Sequence, residues 1–91
     1  MKNNHLNLTW HYDPGHAWLA VPRHFLSNEV LATISSYSYQ TKNGGSVLYL
    51  EQDCDAPKAL EYFKSIGIEV STDEISLDCD HYCRSYPSFR Q

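Results

Sequence analysis

Three clusters in this 91-residue chain carry side chains suited to chemistry. His11, Asp13 and His16 fall within six residues. Two imidazoles and a carboxylate are the donor set of a 2-His-1-carboxylate iron site. Such a site normally takes its second histidine from a distant strand, whereas His16 lies just past a tight turn. In the alternative, Asp13 opens the turn by bonding its own backbone, and the imidazoles face solvent or pair with it. Cys79, His81 and Cys83 form a second cluster, which Cys54 or another histidine would complete as a tetrahedral zinc site. The paired C-x2-C knuckles are absent, so the competing picture is a C-terminal segment with incidental thiols. Cys54 stands between Asp53 and Asp55, whose charge weakens it as a nucleophile, while a helix N-terminus close by acts the other way. No Ser or Cys has the flanking pattern of an activated nucleophile, and no glycine-rich phosphate loop is present. The sequence therefore assigns no catalytic residue, no cofactor and no metal. The two metal clusters stand as alternatives.

Aromatic residues are the more informative signal: two Trp, seven Tyr and three Phe. Tyrosine joins a large apolar area to a polar tip and is enriched at binding surfaces. β-propensity alone also accounts for Tyr37, Tyr39 and Tyr49 as sheet residues. Arg84, Tyr86, Phe89 and Arg90 form a possible aromatic and guanidinium patch for an acidic or planar partner. Equally, Tyr86 and Phe89 serve as anchors for the tail. The expected binding surface comprises His11, Asp13, His16, Trp18, Tyr37, Tyr39, Arg84 and Tyr86.

These residues need elements to hold them. Leu6, Leu8, Trp10 and Tyr12 alternate with Asn7, Thr9 and His11, the period of a half-buried strand. Asp13-Pro14-Gly15-His16 reads as a β-turn, with Gly15 supplying positive φ, and residues 17–21 return as a second strand. Pro22 opens a short helix over residues 23–27, with Phe25 and Leu26 inward and Asn28 ending it in the left-handed region. Val30, Leu31 and Ile34 have helical spacing. Tyr37, Tyr39 and Thr41 alternate as a strand, Asn43-Gly44-Gly45 signals a hairpin, and residues 47–50 return. Asp55 is expected to cap the next helix, on which Ala56, Ala59, Leu60, Phe63 and Ile66 form a stripe ended by Gly67. Residues 68–70 read as a short strand that Ile75 and Leu77 would extend. Residues 78–91 form a tail that must wrap the body to be ordered. The expectation is one α+β domain over 1–91, order β-β-α-β-β-α-β, mostly antiparallel, with two helices on one face.

Eleven acidic against seven basic residues give a net charge of −4, which argues against general nucleic-acid binding. No apolar run reaches about 18 residues, so no membrane span is expected. The N-terminal residues lack the apolar core of a signal peptide. Cytoplasm is the default compartment, and the odd count of three cysteines reads as free thiols there. In an oxidising compartment Cys79 and Cys83 would be candidates to pair. An exposed sheet edge makes a homodimer feasible.

The segments Asp13-Pro14-Gly15-His16-Ala17-Trp18-Leu19, Ser36-Tyr37-Ser38-Tyr39, Tyr49-Leu50-Glu51-Gln52-Asp53-Cys54-Asp55 and Arg84-Ser85-Tyr86-Pro87-Ser88-Phe89 form a set. Together they resemble a family of small proteins carried by bacteria, their phages and plasmids. That family often has Gly at the position of Ala17 and an acidic residue at that of Gln52. The likeness runs from Trp10 to Phe89. It implies a bacterial or viral cytosolic setting on a mobile element, and no particular activity. The expected function is a non-enzymatic protein that binds and inhibits or modulates a host protein, such as a defence component. One alternative is a nucleotide-like ligand stacked on Trp10, Trp18 or the tyrosines, with phosphate held by Arg23, Arg84 or a helix N-terminus. The other is a metal-dependent protein using His11, Asp13 and His16, or Cys79, His81 and Cys83.

Overall fold

Strand alternation sorts the apolar side chains to one face of a five-stranded sheet. The computed structural model describes residues 4–42 and 44–89. The strands are β1 (His5–Tyr12), β2 (Ala17–Pro22), β3 (Tyr39–Gln40), β4 (Val47–Glu51) and β5 (Glu69–Ser76), in spatial order β3-β4-β2-β1-β5. Two α-helices, α1 (Asn28–Leu31) and α2 (Ala56–Ser65), and two 3-10 turns, Arg23–Phe25 and Tyr82–Ser85, complete it. Three of the strand pairings are antiparallel, and β5 runs parallel to β1. The fold is α+β, as expected. No helix among the described residues is long and apolar enough to cross a membrane.

Leu8, Leu19, Val21, Leu48 and Leu50 form the helix-facing side of the sheet and pack with Ala56, Ala59 and Phe63 of α2. Full burial of a side chain like Phe63 contributes about 1.5–3 kcal/mol. Leu26 and Ile34, either side of α1, close the same core. The opposite face carries rings. Trp18 and Tyr49 pack there with Cys83, beside half-buried Tyr39 and Tyr86. The tail covers this face and also caps the β3 edge: Gln40 N donates to Pro87 O at 2.9 Å and Phe89 N to Ser38 O at 2.8 Å.

Several local expectations are corrected. Gly15 does not have positive φ. The turn is held instead by Asp13 Oδ1, which accepts from Gly15 N and His16 N at 2.9 Å each. Glycine eases close approach there, since a Cβ would lie 3.0 Å from Nη2 of Arg84, a side chain held in place by Asp13. Asn28 does not end a helix; it begins α1, capped by Ser27 Oγ accepting from Val30 N. Asp55 holds the N-cap position without a side-chain cap bond, because its carboxylate is drawn to Ser35 and Ser38 instead. Gly67 does end α2 at φ 80°, but Ile66 is half exposed rather than in the stripe. The second hairpin keeps only two paired residues on β3, because the 35–38 segment bends toward Asp55; Asn43 lies outside the described residues. β5 runs unbroken over Glu69–Ser76, through the residues between Val70 and Ile75 where the pattern weakens, because its backbone pairs with the whole of β1 although its side chains are almost all exposed.

Candidate functional site

Side chains directly opposite one another across a sheet share a face. His11 pairs with Trp18, and Trp18 with Glu51, so these three form one row at the end of the ring-bearing face. The row connects two features, a buried polar hub under the tail and an open cleft beside it.

The hub centres on Asp13. Its Oδ1 accepts the two turn amides and Arg84 Nη2 at 3.1 Å. Its Oδ2 accepts His81 N at 2.9 Å and Arg84 Nε at 2.7 Å. Two oxygens offer about four lone-pair positions, so the carboxylate is saturated. The Arg84 bonds, with those amides, hold the Asp13 carboxyl far below its ordinary value despite burial. Asp13 thereby ties the first turn to the tail, 71 positions away.

His11 and His81 form the second part of the hub. His11 Nδ1 lies 2.9 Å from His81 Nε2, and the rings meet edge to face at 4.8 Å. His81 Nδ1 accepts from Cys83 N at 2.9 Å. Neutral His81 therefore carries its proton on Nε2 and donates to His11 Nδ1, which leaves the His11 proton on Nε2. Burial lowers both pKa values. The His81 charge adds to this at His11; at His81, Asp13 opposes it and Arg84 reinforces it. Burial also pushes the Cys83 thiol up to about 12 and raises the Tyr49 hydroxyl.

The cleft has a volume of about 480 Å³. Its walls come from the first turn and β2 (His16, Trp18), from the segment before β3 (Ser36, Tyr37, Tyr39), from the β4–α2 turn (Glu51, Asp53, Cys54) and from Arg84. Asp55 positions the second wall. Its carboxylate accepts from Ser35 N, Ser35 Oγ, Ser38 Oγ and Lys58 Nζ. Burial alone would raise its pKa, but the two serine hydroxyls and Lys58 outweigh burial and lower it. Ser38 Oγ in turn accepts from Glu51 N at 3.0 Å. Glu51 organises the third wall: Oε1 accepts from Asp53 N and Cys54 N at 2.9 Å each. Desolvation, followed by the Glu51 carboxylate, raises the Cys54 thiol above its ordinary value. Trp18 meets the His16 ring, stacked at 5.9 Å, and the Arg84 guanidinium, 5.1 Å from its centre. Its buried Nε1 has no hydrogen-bond partner among the described residues. Tyr37 stands 66% exposed at the mouth.

Of the eight binding residues expected from sequence, His16, Trp18, Tyr37, Tyr39 and Arg84 line this cleft. His11, Asp13 and Tyr86 do not line it. His11 and Asp13 are buried in the hub, and Tyr86 packs on Tyr49 at 5.7 Å. Arg90 of the expected patch lies outside the described residues. Sequence reading missed Glu51, Ser38 and Asp55 as organisers. The only local hint was a carboxylate preceding a strand-to-helix turn.

Neither metal alternative assembles. Among the described residues no three His, Cys, Asp or Glu side chains gather as a metal site requires. Asp13 has no lone pair left, His11 bonds His81, and His16 stacks on Trp18. In the other cluster Cys79 is exposed while Cys83 is buried, and all three cysteines are free. No family model matches the chain, and no curated protein or solved structure is significantly similar to it.

Proposed function

We propose that this chain is a small non-enzymatic binding protein that docks a partner protein through the cleft and its rim. On this reading the partner is a host protein, such as a defence component, met in the cytoplasm and inhibited or modulated by occupation. One observation carries the reading. Rings from separate stretches of chain converge on an open concavity, with Tyr37 projecting at its mouth. Exposed tyrosine beside a concavity of rings and a few polar groups is the composition of an interface anchor.

The surrounding groups favour holding over bond breaking. Asp13 is saturated, and Cys54 is a weak nucleophile with its thiol held up by desolvation and then by the Glu51 carboxylate. The nucleotide-like alternative asks Arg84 to hold phosphate. Its guanidinium is already engaged by Asp13 and lies 3.9 Å from Asp80, while Glu51 and Asp53 would repel an anion.

The test is affinity capture from bacterial lysate with the wild type and Tyr37→Ala, followed by calorimetry with the purified partner. A stoichiometric partner bound by the wild type and weakened by Tyr37→Ala supports the proposal. A partner retained equally by both proteins refutes it, as does substrate turnover that depends on a cleft residue.

A further inference from the structure

We propose that the cleft is a cation site, shaped for the guanidinium of an arginine side chain presented by the docked partner. The inference rests on the docking reading above and names the chemistry of the inserted group.

Charge favours a cation at two residues, and the opposing charge at a third is cancelled. Glu51 and Asp53 both line the cleft, and Arg84, the cationic side chain that lines it, is already forked onto Asp13. An entering cation thus meets two carboxylates and a guanidinium whose charge is matched from behind.

Glu51 supplies the acceptor. The residue is only 7% exposed, and its Oε1 is taken by two backbone amides. Among the described residues Oε2 accepts no backbone donor; His16 Nε2 stands 4.0 Å away, within ion-pair range but too far for a hydrogen bond. This oxygen is not sealed from the cleft, so an arriving N–H group can reach it and form a charge-assisted hydrogen bond.

The rings select the shape of the cation. Tyr37 and Tyr39 offer aromatic surface in the same cleft. Guanidinium is planar and weakly hydrated, so it stacks on such rings at lower desolvation cost than an ammonium. The protein already makes this contact internally, with Arg84 over Trp18 and anchored by a carboxylate. The proposed contact repeats that arrangement between molecules.

The experiment titrates isotope-labelled protein with three capped tripeptides, Gly-Arg-Gly, Gly-Lys-Gly and Gly-citrulline-Gly, followed by NMR. The arginine peptide is expected to shift the amides of Asp53 and Cys54 and the indole of Trp18. The lysine peptide should bind more weakly, and the neutral citrulline peptide should leave these signals in place. Glu51→Gln keeps an oxygen for the turn amides and should weaken arginine binding roughly tenfold, as expected for loss of a charge-assisted partner. Equal shifts from citrulline and arginine, or shifts mapping elsewhere, would overturn the proposal with wild-type protein alone. A silent arginine peptide, with partner capture still weakened by Tyr37→Ala, overturns this inference and leaves the docking reading standing.

Discussion

Replacing Asp13 by Asn tests the central joint of the molecule. The substitution keeps the size but removes the charge and turns one acceptor into a donor. Nδ2 would then face either the turn amides or His81 N and Arg84 Nε. Breaking a buried ion pair costs about 3–5 kcal/mol where the orphaned charge stays buried. Here Arg84 is 31% exposed and can turn to water, which puts the loss at about 2–3 kcal/mol, including one unsatisfied backbone amide. For a chain of this size that corresponds to a fall in Tm of about 10–20 °C. The pH dependence adds a second, independent signature. The Asp13 pKa is depressed in the folded state, so its contribution is fully present above the unfolded value near 3.8. That contribution is lost as pH falls below this value, toward the folded pKa. The gap between wild type and Asp13→Asn should therefore be constant at neutral pH and shrink below about pH 4. Urea unfolding followed by tryptophan fluorescence reads both. A variant within about 0.5 kcal/mol of wild type, the range of an ordinary surface substitution, would refute the joint. So would a gap that does not change with pH.

The other predictions concern single contacts. His11 and His81 have lowered pKa values when folded, so the native state binds fewer protons than the unfolded chain just below pH 6.5. Stability should fall as pH drops from 6.5 toward the folded values, by up to about 1.4 kcal/mol per pH unit for each histidine, and His11→Asn should flatten that limb in urea titrations. Gly15→Ala should destabilise the wild type because Arg84 Nη2 sits 3.0 Å from the new Cβ; in an Arg84→Ala background it should be neutral or stabilising, and a double-mutant cycle measures the coupling. A thiol reagent should modify exposed Cys79 readily and exposed Cys54 more slowly, because its thiol is raised, and should reach Cys83 only on unfolding, since Cys83 is buried with its thiol near 12. Rapid native labelling of all three would show that the tail does not close over the ring face.

Much of the fold is legible because its signals are local. Alternation in β1 places Leu8 inward and His11 on the opposite face, and the pattern holds in the structure. The α2 stripe and Gly67 report helix period and end from neighbouring residues alone. The misreadings at Asp55 and Gly15 share one cause. Each has a standard local role, as helix cap or turn glycine, and each is claimed by a partner far along the chain. Asp55 reaches back to Ser35 and Ser38, and Gly15 makes room for Arg84. β5 was seen only in part because its side chains are exposed, so backbone pairing with β1 rather than an apolar pattern defines it.

The sequence by itself determined the α+β class, the order of elements and the end of α2 at Gly67. Covalent geometry and short-range capping encode those features within a few residues. Only the tertiary structure decided that His11 would meet His81 across 70 positions, and that Arg84 would neutralise Asp13 and cover Trp18. It also decided that Glu51 would leave one oxygen without a backbone donor beside the tyrosines. Such meetings depend on where the tail returns over the sheet. That path is set by the summed packing of the whole chain, which no short stretch of residues carries.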